Sequence, residues 1–323
     1  MSADSFLYLS AADVKGLALD PGLMRGAVVE AFQAHHAQLA TTRPKLTLTV
    51  GPGHAFQSMC AAWPTHGLAA NKWLGMVNVA AGSGLPAIHS IIALNDYATG
   101  QLRVIMDGNV VTALRTAAMS AAAAETMARP DSRSIGFIGC GLQARSHLAA
   151  FRALMPGLVD LHAFSRTRRS AEALVEGATA LRGTVHDDPA VVVRESDIVV
   201  TTVPAEPGFQ PFLDPADIRS GGFVSSVDVG RSWLPGGLRA LDVLAVDDHA
   251  QQAESPPIGP GLGPLGSFDA DLADLVSGSK PGRRGPEDRT LFVFRGFGLA
   301  DLAVAALVFR AAQLRGSGAV LPR

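Results

Sequence analysis

Cysteine is scarce in this sequence, with only Cys60 and Cys140 among 323 residues. The two lie far apart, and neither belongs to a CxxC motif or to a Cys/His spacing typical of zinc sites. The histidines also lack metal-ligand spacing such as HxxxH. The small number of cysteines argues against a disulfide scaffold, and the absence of these spacings argues against a zinc-binding module. We expect two free thiols, a reducing compartment and no bound metal.

Charged residues are also few, at 17% of the chain, and the formal net charge is only −2. Nucleic acid is therefore not an expected partner, because binding a phosphate backbone requires a basic excess. Hydrophobic residues make up 48% of the chain, enough for a large core. A chain this apolar with so few charges favours coverage of part of its surface by another subunit, and we expect a homo-oligomer.

Long hydrophobic runs are missing as well. The N-terminus has no basic region ahead of an unbroken apolar stretch, which argues against a signal peptide. The apolar stretch at 299–312 is interrupted by Asp301 and Arg310 and is too short to span a bilayer. We therefore expect a soluble, cytoplasmic protein with no membrane partner.

The sequence also lacks GxSxG, HExxH and P-loop motifs, which argues against hydrolases, metalloproteases and nucleoside triphosphatases.

The first hundred residues show patterns of mixed α and β structure. Asp20-Pro21, followed by apolar residues at helical spacing, predicts a capped helix that runs to about Leu39. Alternating or apolar runs predict strands at 45–50, 67–79 and 88–94, with a turn at 82–84. The expected fold of this part is α+β, with antiparallel strands.

An alanine-rich stretch follows, from Thr112 to Arg129, and it ends directly before Pro130. It predicts a helix that links two domains and has Thr112 as its N-cap. In that prediction Arg115 and Thr116 occupy the first turn, where the helix dipole and the guanidinium together favour an anion. The alternative is an arginine that serves only packing.

Beyond Pro130, apolar strands alternate with helices. The predicted elements are strands at 134–138, 159–164, 196–203, 222–229 and 243–247, a loop at 139–144 followed by a helix to about Leu154, a helix at 170–181, a Pro/Gly-rich loop at 252–266 and a final helix from Gly298. Strands that are nearly all apolar predict a parallel sheet covered on both faces. The expected fold class is therefore α/β, a Rossmann doubly wound domain beside the α+β domain.

The loop after the first of these strands reads Gly139-Cys140-Gly141-Leu142-Gln143-Ala144, a GxGxxA pattern. A pyrophosphate needs main-chain amides at a helix N-terminus and small residues that let it approach. The pattern is weak alone, but between a strand and a helix it predicts a dinucleotide site. The alternative is a glycine-rich turn without a ligand.

The residues after the second strand of this unit bear on the cofactor. NAD sites place an acidic residue there for the ribose 2′-hydroxyl, whereas this segment reads Ser165-Arg166-Thr167-Arg168-Arg169. Arginine and hydroxyl side chains suit a 2′-phosphate, so NADP(H) is preferred and NAD(H) remains possible. The alternative is that these arginines are a solvated helix start.

Lys72 and His89 are the other candidates for chemistry. Lys72 lies in the apolar setting Asn71-Lys72-Trp73-Leu74, where a lysine is costly unless it has a partner. It is a candidate to bind a carboxylate or donate a proton, unless it lies on an exposed strand face. His89 is a possible general acid, but a hydrogen-bonded core histidine is the favoured reading.

These residues resemble the ornithine cyclodeaminase and mu-crystallin family. The resemblance is carried by Lys72, Thr99-Gly100, Thr112 to Ala118, the Gly139 to Ala144 loop, Thr290-Leu291-Phe292, and Gly296 with Asp301. It implies a substrate and dimerisation domain at 1–112, completed by a C-terminal helix at 303–323, and a Rossmann domain at 113–302.

By position, the resemblance implies a carboxylate site of Lys45 (or Arg43 beside it), Lys72 and Arg115. The residues expected to contact the cofactor are Arg115, Thr116, Gly139, Gly141, Leu142, Gln143, Ala144, Ser165, Arg166, Thr167, Thr202, Val203, Pro204 and Gly296. Ser165-Arg166-Thr167 also resembles the triplet of the family's reductase branch.

One departure concerns Asp228. The family's cyclodeaminases use an aspartate beyond the fifth Rossmann strand, and the best alignment places Gly230 there, two residues after Asp228. Two residues along a strand move a carboxylate by about 6 to 7 Å. Cyclisation of ornithine is therefore disfavoured, and Asp228 stays a candidate catalytic residue.

The sequence supports three hypotheses. The first is an NADPH-preferring imino-acid reductase or amino-acid dehydrogenase, in which Lys72 and Arg115 hold the carboxylate for hydride transfer. Lys72, His89, Asp228 or water is then the proton source. The second is an ornithine cyclodeaminase-type ammonia lyase that uses bound NAD. The third is a dinucleotide-binding scaffold without turnover.

Overall fold

Two compact units form from the two kinds of sequence pattern. The computed structural model describes residues 5–79, 84–206, 208–254, 262 and 267–323. The first unit comprises Met1–Arg115 and Gly296–Arg323, and the second comprises Thr116–Arg295. The helix that carries Arg115 and Thr116 is continuous from one unit into the other.

The strands and helices are named in chain order. The strands are β1 (Ser5–Leu9), β2 (Thr41–Thr42), β3 (Leu46–Gly51), β4 (His54–Trp63), β5 (Leu68–Val77), β6 (Ile88–Asp96), β7 (Leu102–Asp107), β8 (Ser134–Ile138), β9 (Asp160–Phe164), β10 (Arg182–Val185), β11 (Ile198–Thr201), β12 (Phe223–Ser226), β13 (Val243–Val246), β14 (Ala270–Asp271), β15 (Thr290–Val293) and β16 (Ala319–Pro322). The helices are α1 (Ala11–Gly16), α2 (Pro21–His36), α3 (Gly108–Met127), α4 (Leu142–Leu154), α5 (Arg168–Glu176), α6 (Pro189–Glu195), α7 (His249–Glu254), α8 (Leu272–Ser277) and α9 (Gly298–Arg315).

The first unit is built on a sheet in the order β16-β1-β7-β6-β5-β4-β2, with β3 also paired to β4. Its neighbouring strands are antiparallel except for β1 and β7, which run parallel. Helix α9 packs on β4, β5 and β6 and against α2. The α+β fold expected for this part of the chain is confirmed.

Helix α3 begins earlier than the sequence predicts. Thr112 is not its N-cap but lies in the second turn, where its hydroxyl donates to the Gly108 carbonyl at 2.6 Å. The Asp107 carboxylate accepts from the Val110 amide instead, at 2.8 Å. Arg115 and Thr116 therefore lie beyond the first turn, where the helix dipole has little effect on an anion.

The second unit contains a parallel sheet in the order β10-β9-β8-β11-β12-β15-β13-β14. The central strands β8, β11, β12, β13 and β15 are buried throughout, as expected for a sheet with helices on both faces. The chain leaves β8 toward β9 on one side and later returns to β11 on the other, which is the switch point of a Rossmann sheet. The predicted doubly wound α/β fold is confirmed.

Several predicted boundaries need correction. Helix α5 ends at Glu176 rather than near Leu181, because Gly177 follows. The last helix spans Gly298–Arg315 rather than 303–323, and Gly316 ends it with a left-handed φ of 63°. The remaining residues form β16, which pairs with β1 in the first unit.

The loop predicted at 252–266 begins later than expected, because helix α7 continues to Glu254. Most of the rest of that loop, 255–261 and 263–266, lies outside the described residues, as do 82–83 of the predicted turn at 82–84. None of the helices in the described part of the chain has the length and apolar character that a membrane span requires.

Gly136 in β8 tests the close packing of the parallel sheet. A Cβ there would lie 2.7 Å from Val192 Cγ1 of α6 and would collide with the Ser196 hydroxyl. We expect Gly136→Ala to lower the free energy of unfolding in urea by about 1–3 kcal/mol through overpacking. Gly157→Ala is the matched control, because a Cβ there has open space. Equal losses in both variants would contradict this account.

Candidate functional site

Lys72 lies on the buried face of β5. Its side chain is 1% exposed, whereas Asn71 and Trp73 on either side are exposed. The alternative of a lysine on an exposed strand face is therefore wrong. A buried lysine needs a compensating partner, because removing its charge from water is costly.

Asp301 is that partner, and it also binds Arg115. The Nζ atom of Lys72 lies 2.9 Å from both carboxylate oxygens, and Arg115 Nε lies 3.1 Å from Oδ1. All three side chains are buried. Thr112 Oγ1 is 3.4 Å from Nζ, near the limit of a hydrogen bond. We call Lys72, Arg115 and Asp301 the buried ion cluster.

The pKa of Lys72 is lowered to about 8. Burial is the main cause, and the charges of Arg115 and Lys45 lower the pKa further, while Asp301 opposes them. Lys45, which is half-buried directly before β3, therefore lies within electrostatic reach of the cluster. Lys72 and Arg115 bring two positive charges to the single carboxylate of Asp301, so the formal charge of the cluster favours binding of a second carboxylate.

Gly296 makes room for the Arg115 guanidinium. A Cβ at this position would lie 2.8 and 2.9 Å from Nη2 and Nη1 of Arg115, and the backbone φ is 89°. Only glycine adopts this conformation readily. Gly296 was predicted as a cofactor contact, and the structure places it directly against Arg115 in the first unit.

In the second unit the predicted turn connects β8 to α4. Gly139 has a φ of 87°, its amide donates to the Phe164 carbonyl at 2.9 Å, and its carbonyl accepts from Thr202 Oγ1 at 2.8 Å. A Cβ at Gly139 would lie 3.1 Å from Thr202. Ala144 is fully buried, which fits the close helix–strand packing expected of the third motif position.

The start of α4 fits the diphosphate of a dinucleotide. Gly141 is the N-cap, no side chain caps the helix, and a Cβ at Gly141 would meet no atom within 4 Å. Gln143 Oε1 is a buried atom without a hydrogen-bond partner among the described residues. Leu142, also predicted to contact the cofactor, is exposed in this first turn. Helix amides facing open space are what an anion requires.

The predicted 2′-phosphate segment lies at the carboxyl end of β9. Ser165 is half-buried, Arg166 and Thr167 are exposed, and the Thr167 hydroxyl does not cap α5. The sequence offers no carboxylate in this segment, but Glu206 provides one from the loop after β11, and it forms an ion pair with Arg166. No local pattern in the sequence pointed to Glu206, because it lies 40 residues beyond Arg166.

The remaining predicted cofactor contacts belong to the second unit as well. Thr202 and Val203 are half-buried and Pro204 is exposed after β11, and the Val203 carbonyl accepts from Arg231 at 2.8 Å. Thr116 is buried in α3 at the start of this unit.

Asp228 lies beyond β12, in a cage of hydroxyl groups. Its Oδ1 accepts from Thr201 at 2.7 Å and from Ser226 at 2.8 Å, and its Oδ2 accepts from Ser232. The backbone directly after it is strained, because the β-branched Val229 has a φ of 59°. The structure therefore ties the Asp228 carboxylate to the ends of β11 and β12.

His89 lies on the surface of the first unit, and the two cysteines differ in burial. His89 is exposed, on the same face of the first sheet as Trp73, so the favoured reading of a core histidine is wrong. Both cysteines are free, Cys60 exposed and Cys140 buried. Burial raises the pKa of the Cys140 thiol to about 12, so this thiol is protonated at neutral pH.

One group in the second unit has the spacing of a metal site. The ligand atoms of His249, Asp271 and Asp274 lie within 4.8 Å of one another. Asp271 and Asp274 already serve as the capping box of α8, and Lys280 lies 3.2 Å from Asp274. These contacts account for the arrangement without a cation.

Gly296→Ala tests how the buried ion cluster is accommodated. Gly100 has a similar φ of 72° but open space around a Cβ, so Gly100→Ala isolates the backbone strain. We expect Gly100→Ala to lower the free energy of unfolding by about 1–2 kcal/mol and Gly296→Ala by about 2–4 kcal/mol, since a methyl group there also displaces Arg115. Urea denaturation of both variants measures the difference. Similar losses would mean that Arg115 does not depend on the space at Gly296.

The chain is similar to several known proteins. The mouse protein named ketimine reductase mu-crystallin is 31% identical over 232 residues, which cover 70% of this chain and 71% of that protein. Two solved structures match nearly the whole chain at 25% identity. The Thermococcus litoralis Δ1-pyrroline-2-carboxylate reductase in complex with NADH and L-proline has a TM-score of 0.88 and covers 97% of this chain and 99% of that one. An archaeal alanine dehydrogenase dimer with bound NAD has a TM-score of 0.86 and covers 98% and 99%.

The family profile covers most of the sequence. The Ornithine cyclodeaminase/mu-crystallin family matches residues 7–315, a span that includes both the buried ion cluster and the Gly139 to Ala144 turn. This chain therefore belongs to the ornithine cyclodeaminase/mu-crystallin family.

Proposed function

We propose that this chain is an NAD(P)-dependent oxidoreductase that acts on the CH–NH or C=N bond of a small amino or imino acid. The observation that carries the proposal is the buried ion cluster, in which Lys72 and Arg115 share the single carboxylate of Asp301. Its cationic excess suits an amino-acid carboxylate. Two relatives support this substrate class, because one is named a ketimine reductase and the other was solved with L-proline.

Substrate binding follows from the cluster. Asp301 holds the ammonium of Lys72 and the guanidinium of Arg115 in place, and both are cations that bind carboxylates through charge-assisted hydrogen bonds. Lys45 adds a third positive charge near Lys72. We assign the substrate carboxylate to Lys72, Arg115 and Lys45.

The dinucleotide belongs to the second unit in this proposal. The amides at the start of α4 hold the diphosphate, and the open space at Gly141 lets it approach. When bound, the nicotinamide donates or accepts the hydride. The turn is held by the Thr202 hydroxyl on the Gly139 carbonyl.

Lys72 is also the proposed proton donor. With a pKa of about 8 it is protonated at neutral pH and able to release its proton, as general acid catalysis requires. Asp228 was another candidate, beside His89 and water, but three hydroxyl donors already occupy its carboxylate. This arrangement favours a reductase or dehydrogenase over ornithine cyclisation, since Gly230 occupies the position of the cyclodeaminase aspartate.

We further propose a preference for NADP(H). Ser165, Arg166 and Thr167 lie at the strand end where the ribose 2′ position is recognised in Rossmann domains. A guanidinium and two hydroxyls suit a 2′-phosphate. The two solved relatives hold NADH and NAD, so NAD(H) remains a second cofactor of the proposal.

A homodimer is the proposed assembly. One face of the first sheet, opposite to Lys72 and α9, exposes a row of apolar side chains. Across neighbouring strands Leu46 pairs with Ser58, Ser58 with Trp73, and Trp73 with Ile91, so the three apolar side chains lie on the same face. Leu48 lies on the same face, which we call the outer face. A contiguous apolar face of this kind favours burial against a partner, and the archaeal relative is a dimer.

Leu48→Glu tests the outer face. A buried unpaired carboxylate is costly, so we expect this variant to convert a dimer into monomers in light scattering after size-exclusion chromatography. Leu314→Glu is the control, because Leu314 is 89% exposed on α9, away from that face. A dimeric Leu48→Glu protein, or a monomeric wild type, would refute this assembly.

A spectrophotometric screen tests the proposed reaction. We expect cyclic or acyclic imino acids to oxidise NADPH, and NADH more weakly, with no ammonia released from ornithine and NAD. Lys72→Met should lower kcat/KM by about 100-fold or more, because it removes both a charged hydrogen bond to the carboxylate and the proposed proton donor. Lys15→Met, at an exposed lysine of α1, should have no effect. Ammonia release from ornithine without accumulation of reduced cofactor would identify a cyclodeaminase instead.

The pH dependence tests the role of Lys72 directly. Its pKa is lowered to about 8, so the ammonium is charged below pH 8 and becomes neutral above it. We expect the KM for the imino acid to rise progressively above pH 8 as the carboxylate loses this cation. In Lys72→Met the KM should be higher at every pH and flat between pH 7 and 9. A wild-type KM that stays constant across that range would exclude Lys72 as a carboxylate ligand.

A further inference from the structure

Arg166 and Glu206 form an ion pair between two loops of the second unit. Arg166 Nη2 donates to Glu206 Oε1 at 2.9 Å, and Arg166 Nη1 donates to the other carboxylate oxygen. The residues are 40 positions apart, at the ends of β9 and β11, the strands on either side of β8. The glycine turn follows β8 itself, so the pair lies at the switch point of the sheet.

The neighbouring arginine, Arg168, divides its donors between two carboxylates. Arg168 binds Glu172, one turn further along α5, at 3.0 Å, and it also contacts Asp187. The first contact is an ordinary i,i+4 pair on the helix surface, and the second reaches the segment between β10 and α6. Arg166 instead directs two N–H donors at a single carboxylate from another loop, the planar arrangement in which arginine recognises carboxylates and phosphates.

The pair has opposite consequences for the two cofactors. A 2′-phosphate dianion requires the same guanidinium donors that Glu206 occupies, and it is repelled by the carboxylate. A free 2′-hydroxyl needs an acceptor, which in NAD-binding Rossmann sites is an acidic residue, and Glu206 supplies one. Glu206 remains ionised at neutral pH, because its hydrogen bonds from Arg166 lower its pKa.

We propose that Glu206 is a specificity-determining residue. It lowers the affinity for NADP(H) that Arg166 confers, and it allows the site to accept NAD(H). The inference rests on the proposed function, because it concerns the dinucleotide that this function requires. Arg166 supplies affinity for the 2′-phosphate, and Glu206 opposes it.

The test is a comparison of NADPH and NADH dissociation constants, measured by fluorescence with the full-length protein at one salt concentration. We expect Glu206→Gln to bind NADPH about two- to fivefold more tightly, the range of an exposed ion pair, with NADH binding unchanged or weaker. Arg166→Ala should weaken NADPH binding roughly tenfold. In the double variant, Glu206→Gln should change the NADPH dissociation constant less than it does alone. The reason is that the Arg166 guanidinium, which Glu206 otherwise occupies, is then absent.

Glu172→Gln is the matched control, since it removes an exposed carboxylate that binds Arg168 only. It should leave the ratio of the two constants unchanged. The gain in Glu206→Gln should also decrease at high salt. An unchanged ratio in Glu206→Gln, with both cofactors still bound by the wild type, would overturn the inference alone. A wild type that binds neither dinucleotide would overturn the proposed function as well.

Discussion

Burial of the Lys72 ammonium is the constraint on which the first unit depends. A charge that is 1% exposed is tolerated only when another charge compensates it, and here the compensation comes from Asp301, 229 residues further along the chain. The C-terminal helix α9 must therefore pack on the sheet formed by the N-terminal residues. Gly296 accommodates the Arg115 side chain that shares the same carboxylate. Fold and candidate site depend on the same three charges.

A different constraint organises the second unit. Its parallel strands place their carboxyl ends at one edge of the sheet, so residues that are distant in sequence meet there. Gly139 is held by Thr202, Asp228 is held by Thr201, and Arg166 is held by Glu206. These contacts position the turn and the loops while leaving the first amides of α4 without a side-chain cap. The proposed diphosphate site requires such uncapped amides.

Local patterns predicted much of the fold. Strand β8 has the predicted bounds and helix α4 ends at the predicted Leu154, but α4 begins at Leu142, inside the segment predicted as a loop. The start of α3 was wrong, since the Asp107 carboxylate competes successfully with Thr112 as a cap. The short strands β7 and β10 were missed, because four to six residues carry too little periodicity when the sheet neighbours supply most of the stabilisation.

The sequence by itself determined the α/β class, the GxGxxA turn and the candidacy of Lys72, Arg115 and Arg166, because these depend on spacing between near neighbours. Only the tertiary structure decided which face Lys72 occupies and which carboxylates meet the cations. Asp301 reaches Lys72 across 229 residues and Glu206 reaches Arg166 across 40. Pairings at such separations are set by strand order and helix packing, which no local pattern specifies.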